Sequence, residues 1–133
     1  MAQQVRFNKE NTIGCILTKI PEYEDSWQKH LEYWKDNDNR TIGLDIANFL
    51  DFTIIEIENK RYNLLPKIFE VIEELIEYGD EDIDYAATIM FLEGLIFTSE
   101  HQPDTVAHKI FVPLLGPKSK EFCKELSPSI FGD

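Results

Sequence analysis

Apolar residues return every three or four positions along most of the chain, and no stretch alternates with period two for long enough to make a strand. The pattern predicts an all-α fold. A first short helix is expected after Asn8, a good N-cap residue, and ends near Ile20 because Pro21 closes it and opens the next. PEYEDSWQKHLEYWKD then places Tyr23, Trp27, Leu31 and Trp34 on one face, with Glu22, Glu24 and Asp25 in the first turn, where carboxylates favour the helix dipole. After the polar loop DNDNR, Thr41 caps a third helix with Ile42, Ile46, Phe49, Leu50, Thr53 and Ile57 as its inner stripe. Asn63 is expected to cap a fourth, with Pro66 in its first turn, an inner face of Ile68, Val71, Ile72, Leu75 and Ile76, and Gly79 as its stop.

Asp80 caps a fifth helix, DYAATIMFLEGLIF, which is apolar nearly all round and therefore expected at the centre of the domain. A short helix through Val106, Ile110 and Phe111 is bent or ended by Pro113, and a last one in GPKSKEFCKEL uses Phe122, Cys123 and Leu126. SPSIFGD reads as irregular. The expectation is one domain over residues 1–133, with its core in roughly 8–126, an irregular tail over 127–133, and six or seven short antiparallel helices arranged as a bundle or an α-α stack.

Length and composition agree with one such core. A chain of 133 residues buries roughly 68% of its unfolded surface, enough for an ordinary hydrophobic interior. Only Cys15 and Cys123 are present and no CxxC pair exists, so free thiols and a cytoplasmic location are expected. No apolar run approaches the length that spans a bilayer.

Specific chemistry is sparse. A carboxylate-bridged di-metal site needs a Glu three positions before a His on one helix face, but Trp27, Thr98 and Thr105 precede His30, His101 and His108. There is also no His-Glu-x-x-His, phosphate-cradling glycine loop, nucleophile elbow or paired cysteine knuckle. The expectation is a protein that is not an enzyme and needs no metal or cofactor. His30 reads as a packing or hydrogen-bonding residue and Cys123 as a buried, inert thiol. Glu93 interrupts the apolar fifth helix, so it either faces solvent or pairs with a buried tyrosine, histidine or arginine.

Charge changes the picture. The net charge is -12, and residues 68–108 carry eleven carboxylates with no Lys or Arg, while the rest of the chain holds 14 acids and 13 bases. Eight of the eleven cluster in IFEVIEELIEYGDEDID: Glu70, Glu73, Glu74, Glu77, Asp80, Glu81, Asp82 and Asp84. Glu70 with Glu74, and Glu73 with Glu77, are like-charge i,i+4 pairs that each destabilise an isolated helix by about 0.2–0.5 kcal/mol. Reversing Glu73 and Glu77 to lysine is therefore expected to leave stability unchanged or slightly higher. A segregated acidic field excludes nucleic acid and anionic membrane as partners and favours a basic protein, so these eight residues are the candidate partner-binding site.

Four segments, IPEYEDSWQKHLEYW, IFEVIEELIEYGDEDI, MFLEGL and LLGPKSKEFCKEL, occur in this order, within a resemblance that covers roughly residues 13–126. Together they resemble a family of small bacterial all-helical domains, largely of unknown function, some members of which look like immunity proteins against secreted or contact-delivered toxins. The resemblance implies an all-α fold, no catalytic residue, and a cytoplasmic role in binding and neutralising a cognate toxin. On it, Gly79 with Asp80 and Gly116 with Pro117 match turns between family helices. The alternative expectation is an α-helical adaptor or regulatory module that binds protein without inhibiting it.

Overall fold

The computed structural model describes residues 4–132. Among them the helices are α1 (Thr12–Lys19), α2 (Glu24–Trp34), α3 (Ile42–Glu58), α4 (Leu65–Tyr78), α5 (residues 81–101), α6 (His108–Phe111) and α7 (Pro117–Leu126). The fold is all-α, and the only β pairing among the described residues is an isolated parallel bridge between Phe7 and Gly79. None of these helices is long and apolar enough to cross a membrane.

Thr41 accepts a hydrogen bond from the Leu44 amide at 3.2 Å and Asp80 accepts one from Ile83 at 3.0 Å, as their positions before α3 and α5 predict. Three boundaries differ from expectation. Asn8 uses its side-chain oxygen in a turn, accepting from the amides of Glu10 and Asn11, so α1 starts later, at Thr12. Asn63 caps nothing: it lies inside a 3-10 turn, Tyr62–Leu64, that runs directly into α4. The tail is not wholly irregular, because Pro128–Phe131 forms another 3-10 turn that buries Ile130 against the core.

The fifth helix is central, packed against α3, α4 and α7. Its middle, Ala86–Glu93, is wound as a π-helix between α-helical ends, and Ala86, Ala87, Phe91 and Leu92 are buried there. Rings thread the core in sequence, Tyr23 of the turn before α2 to Phe49 of α3 at 5.0 Å, Phe49 to Phe91 of α5 at 5.7 Å, and Phe91 to Phe69 of α4 at 6.1 Å. Each such pair contributes roughly 0.5–1.5 kcal/mol beyond its buried area and ties four successive elements together.

The turn between α4 and α5 is held tightly. The amides of Arg6 and Phe7 donate to the Tyr78 carbonyl, the Asp80 amide donates to the Phe7 carbonyl at 2.9 Å, and the Arg6 guanidinium lies 4.1 Å from the Tyr78 ring centroid. A Cβ on Gly79 would sit 2.3 Å from the Leu75 carbonyl oxygen, so only glycine fits there. This turn fixes where the acidic end of α4 meets the acidic start of α5.

Candidate functional site

The eight candidate carboxylates separate into two groups. Glu73 is half-buried and its carboxylate faces the N-terminus of α7, accepting from the Lys118 amide through Oε2 and from the Ser119 amide and hydroxyl through Oε1, all at 2.9 Å. The residue before α7 is Gly116, which has no side chain to cap with, and a Cβ there would lie 2.5 Å from Glu73 Cδ. A glutamate of α4 therefore caps a helix that begins 44 positions later, where the unsatisfied amides and the helix dipole both favour a negative charge. Glu73 is structural, and the expectation that it tolerates lysine is corrected: reversal would place an ammonium on exposed N–H donors.

Three more of the eight are engaged within the protein. Lys19 of α1 reaches Glu74, Asp80 caps α5, and half-buried Glu77 has a partner of its own. The sequence window from Ile68 to His108 holds no Lys or Arg, but the fold brings Lys19 and Lys118 to it from outside.

The other four form the accessible part of the field. Glu70, Glu81 and Asp82 are exposed and make no hydrogen bond or ion pair among the described residues. Asp84 lies on the wall of a groove of about 370 Å³ between α5 and α7, with Thr88, Glu121 and Glu125, over Ile76 and Phe122 and beside Lys118. Partial burial pushes the Asp84 carboxyl up from its ordinary value, and Lys118 opposes that in part. Glu121 and Glu125 lie outside the base-free stretch 68–108 and alternate with lysines in KEFCKE, so charge along the chain does not point to them; their i,i+4 spacing, which puts both on one helix face, does.

A second cluster lies between α2 and α3. His30 Nε2 is 2.9 Å from Asp45 Oδ1, and Arg40 Nη1 donates to both oxygens of Asp45 at 3.2 Å while its guanidinium lies 5.4 Å from the Trp27 ring. The Tyr23 hydroxyl donates to Asn48 Oδ1 at 2.5 Å; burial, then Asp45 and Asp51, push its pKa well up. His30 is thus the hydrogen-bonding residue that its place beside an apolar stripe suggested. Asp45 carried no sequence signal, because its partners sit on another helix and in the preceding loop.

Glu93 is exposed, at the edge of a shallow groove with Phe97, Glu100 and Leu126. Cys15 and Cys123 are free thiols, and Cys123 is fully buried. Among the described residues no three His, Cys, Asp or Glu converge as metal ligands would.

No curated protein and no solved structure is significantly similar to the chain. Residues 13–130 match a family described as "Domain of unknown function (DUF7674)". That match runs from the second residue of α1 to beyond the end of α7, so both the capped α4–α7 junction and the α2–α3 cluster lie inside it. The chain therefore belongs to the DUF7674 family.

Proposed function

We propose that the protein is a non-enzymatic inhibitor of the immunity type, which binds and neutralises a basic toxin domain through the acidic surface of α4, α5 and α7. The observation that carries this reading is the α5–α7 groove, whose lining joins three carboxylates, Asp84, Glu121 and Glu125, with the apolar side chains of Ile76 and Phe122 and a single cation, Lys118. A lysine or arginine presents the complementary shape, an aliphatic stem for the apolar floor and a cation for the walls. Glu70, Glu81 and Asp82 on the surrounding surface extend the field that would steer such a partner.

Steering by exposed charges depends on ionic strength, since such charges are screened beyond roughly 10 Å at 0.1 M salt. The test is capture of the partner on the tagged protein from its own source cell at low and high salt, followed by co-expression of the two. The expected result is a basic partner, released as salt rises, whose toxicity the protein suppresses. Capture of an acidic or salt-indifferent partner would contradict the reading. A basic partner with no toxicity to suppress would favour an adaptor instead, a role for which exposed Tyr33, Ile55 and Phe97 also provide contact surface.

A further inference from the structure

Asp84 and Thr88 of α5 line the groove against α7, and Glu93, Ile96, Phe97 and Glu100 line a second groove of about 210 Å³ with Leu126 and Ser127 at the end of α7. Both grooves therefore open along one α5–α7 seam. A regular α-helix, at about 3.6 residues per turn, would place Glu93 about two and a half turns beyond Asp84 and on the opposite side. The π-wound segment Ala86–Glu93 prevents this, because its wider turns, closed by i→i+5 bonds, bring Glu93 back above Thr88. Glu100, two α-helical turns further on, keeps the same face. The second groove is apolar and acidic together. Ile96 is buried, Phe97 and Leu126 are 60% and 43% exposed, Glu93 makes no hydrogen bond or ion pair among the described residues, and Glu100 accepts from the Ser127 hydroxyl at 3.4 Å. No lysine, arginine or histidine lines it. The nearest bases in the chain are engaged elsewhere: His101 Nδ1 donates to the Phe97 carbonyl at 2.9 Å with its ring stacked on that of Phe97, and the Lys124 ammonium lies 5.7 Å from the Phe131 ring centroid.

We propose that the seam binds a basic segment of a partner polypeptide at two points, with one lysine or arginine side chain entering each groove. In the second groove the aliphatic stem lies against Phe97 and Leu126 and the cation meets Glu93 and Glu100, which no basic side chain of the lining neutralises. The two grooves are roughly ten residues of α5 apart, or about 15 Å at the rise of a helix. An extended segment covers that distance with about three or four residues between its two basic ones. A second copy of this chain, also at net charge -12, would be repelled from such a surface. The inference rests on the proposed basic partner and adds the number and spacing of the side chains it presents.

The experiment titrates the full, isotope-labelled chain at low salt with the end-blocked peptide Arg-Ser-Ser-Ser-Arg, and with a control in which one arginine is replaced by citrulline, its neutral analogue of the same shape. Saturable shifts are expected at Thr88 and Glu125 in the first groove and at Glu93 and Phe97 in the second, with the two-arginine peptide binding roughly tenfold or more tightly than the control. Glu93→Lys, at an exposed position without contacts, should lower the affinity of the two-arginine peptide to that of the control while the shifts at Thr88 and Glu125 persist. Circular dichroism verifies that the variant is folded. No saturable shift at Glu93 and Phe97, equal affinity of the two peptides, or undiminished affinity in folded Glu93→Lys would overturn the inference. Shifts at Phe97 that follow protein concentration without peptide would assign the groove to a second copy and overturn it as well. Each of these leaves salt-dependent capture of a basic partner untouched, whereas capture of an acidic or salt-indifferent partner, beside intact binding in both grooves, would count against the inhibitor reading and spare the seam.

Discussion

Cys123 is fully buried on α7, and loss of solvent pushes its thiol from an ordinary value of 9.0 up to about 12. In the unfolded chain the thiol ionises near its ordinary value, while in the folded protein it must stay protonated to a much higher pH. The folded state therefore holds more protons between those limits, so the stability linked to this thiol is complete below about pH 9 and is lost as pH rises toward 12. One proton contributes at most about 1.4 kcal/mol per pH unit. Urea denaturation at a series of pH values from about 8 to 11 should show the native protein losing stability more steeply than Cys123→Ala. Tyr23, also raised by burial, contributes a loss of the same sign at higher pH to both proteins and does not blur the comparison. Equal slopes would mean that the thiol is not held protonated by the fold.

At the level of elements, the junction of α4 with α7 rests on one carboxylate. Glu73→Lys removes three bonds to an ionised acceptor and sets a cation at a helix N-terminus, and hydrogen bonds to charged groups contribute about 1.5–3 kcal/mol. The expected destabilisation is about 2–3 kcal/mol by urea denaturation. Glu70→Lys, three residues earlier on the same helix but exposed and without contacts, should stay within about 0.5 kcal/mol of the native protein. Similar effects of the two substitutions would refute the cap. The contrast also marks what the sequence can tell. Thr41 and Asp80 cap helices that start immediately after them, and their roles follow from local spacing. Glu73 caps a helix far along the chain, and the only sequence trace of that contact is a glycine, Gly116, where a capping side chain would normally stand. The π-wound middle of α5 was equally hidden, since a segment apolar all round has no polar face to reveal a change of winding.

For the whole molecule, the periodicity was sufficient to predict the helical class and to place α5 at the centre, because both follow from burial along one chain direction. The functional surface was only half legible. Charge segregation along the chain located the field, but folding neutralised part of it with Lys19, Lys118 and two helix caps and enlarged another part with Glu121 and Glu125. What remains exposed and without partners is Glu70, Glu81 and Asp82; Glu81 and Asp82 also stand in the first turn of α5, where each reversal costs about 0.3–1 kcal/mol, a loss small enough for the variant to stay folded while its binding is read. The decisive measurement is the association rate of the captured partner with Glu70→Lys/Glu81→Lys/Asp82→Lys, across a salt series, beside the protection this variant gives to cells expressing the partner. The account predicts a folded variant whose association is slowed roughly tenfold or more at low salt, with a flattened salt dependence and lost protection. A folded variant with an unchanged association rate and full protection would contradict it and leave these carboxylates with solubility as their role.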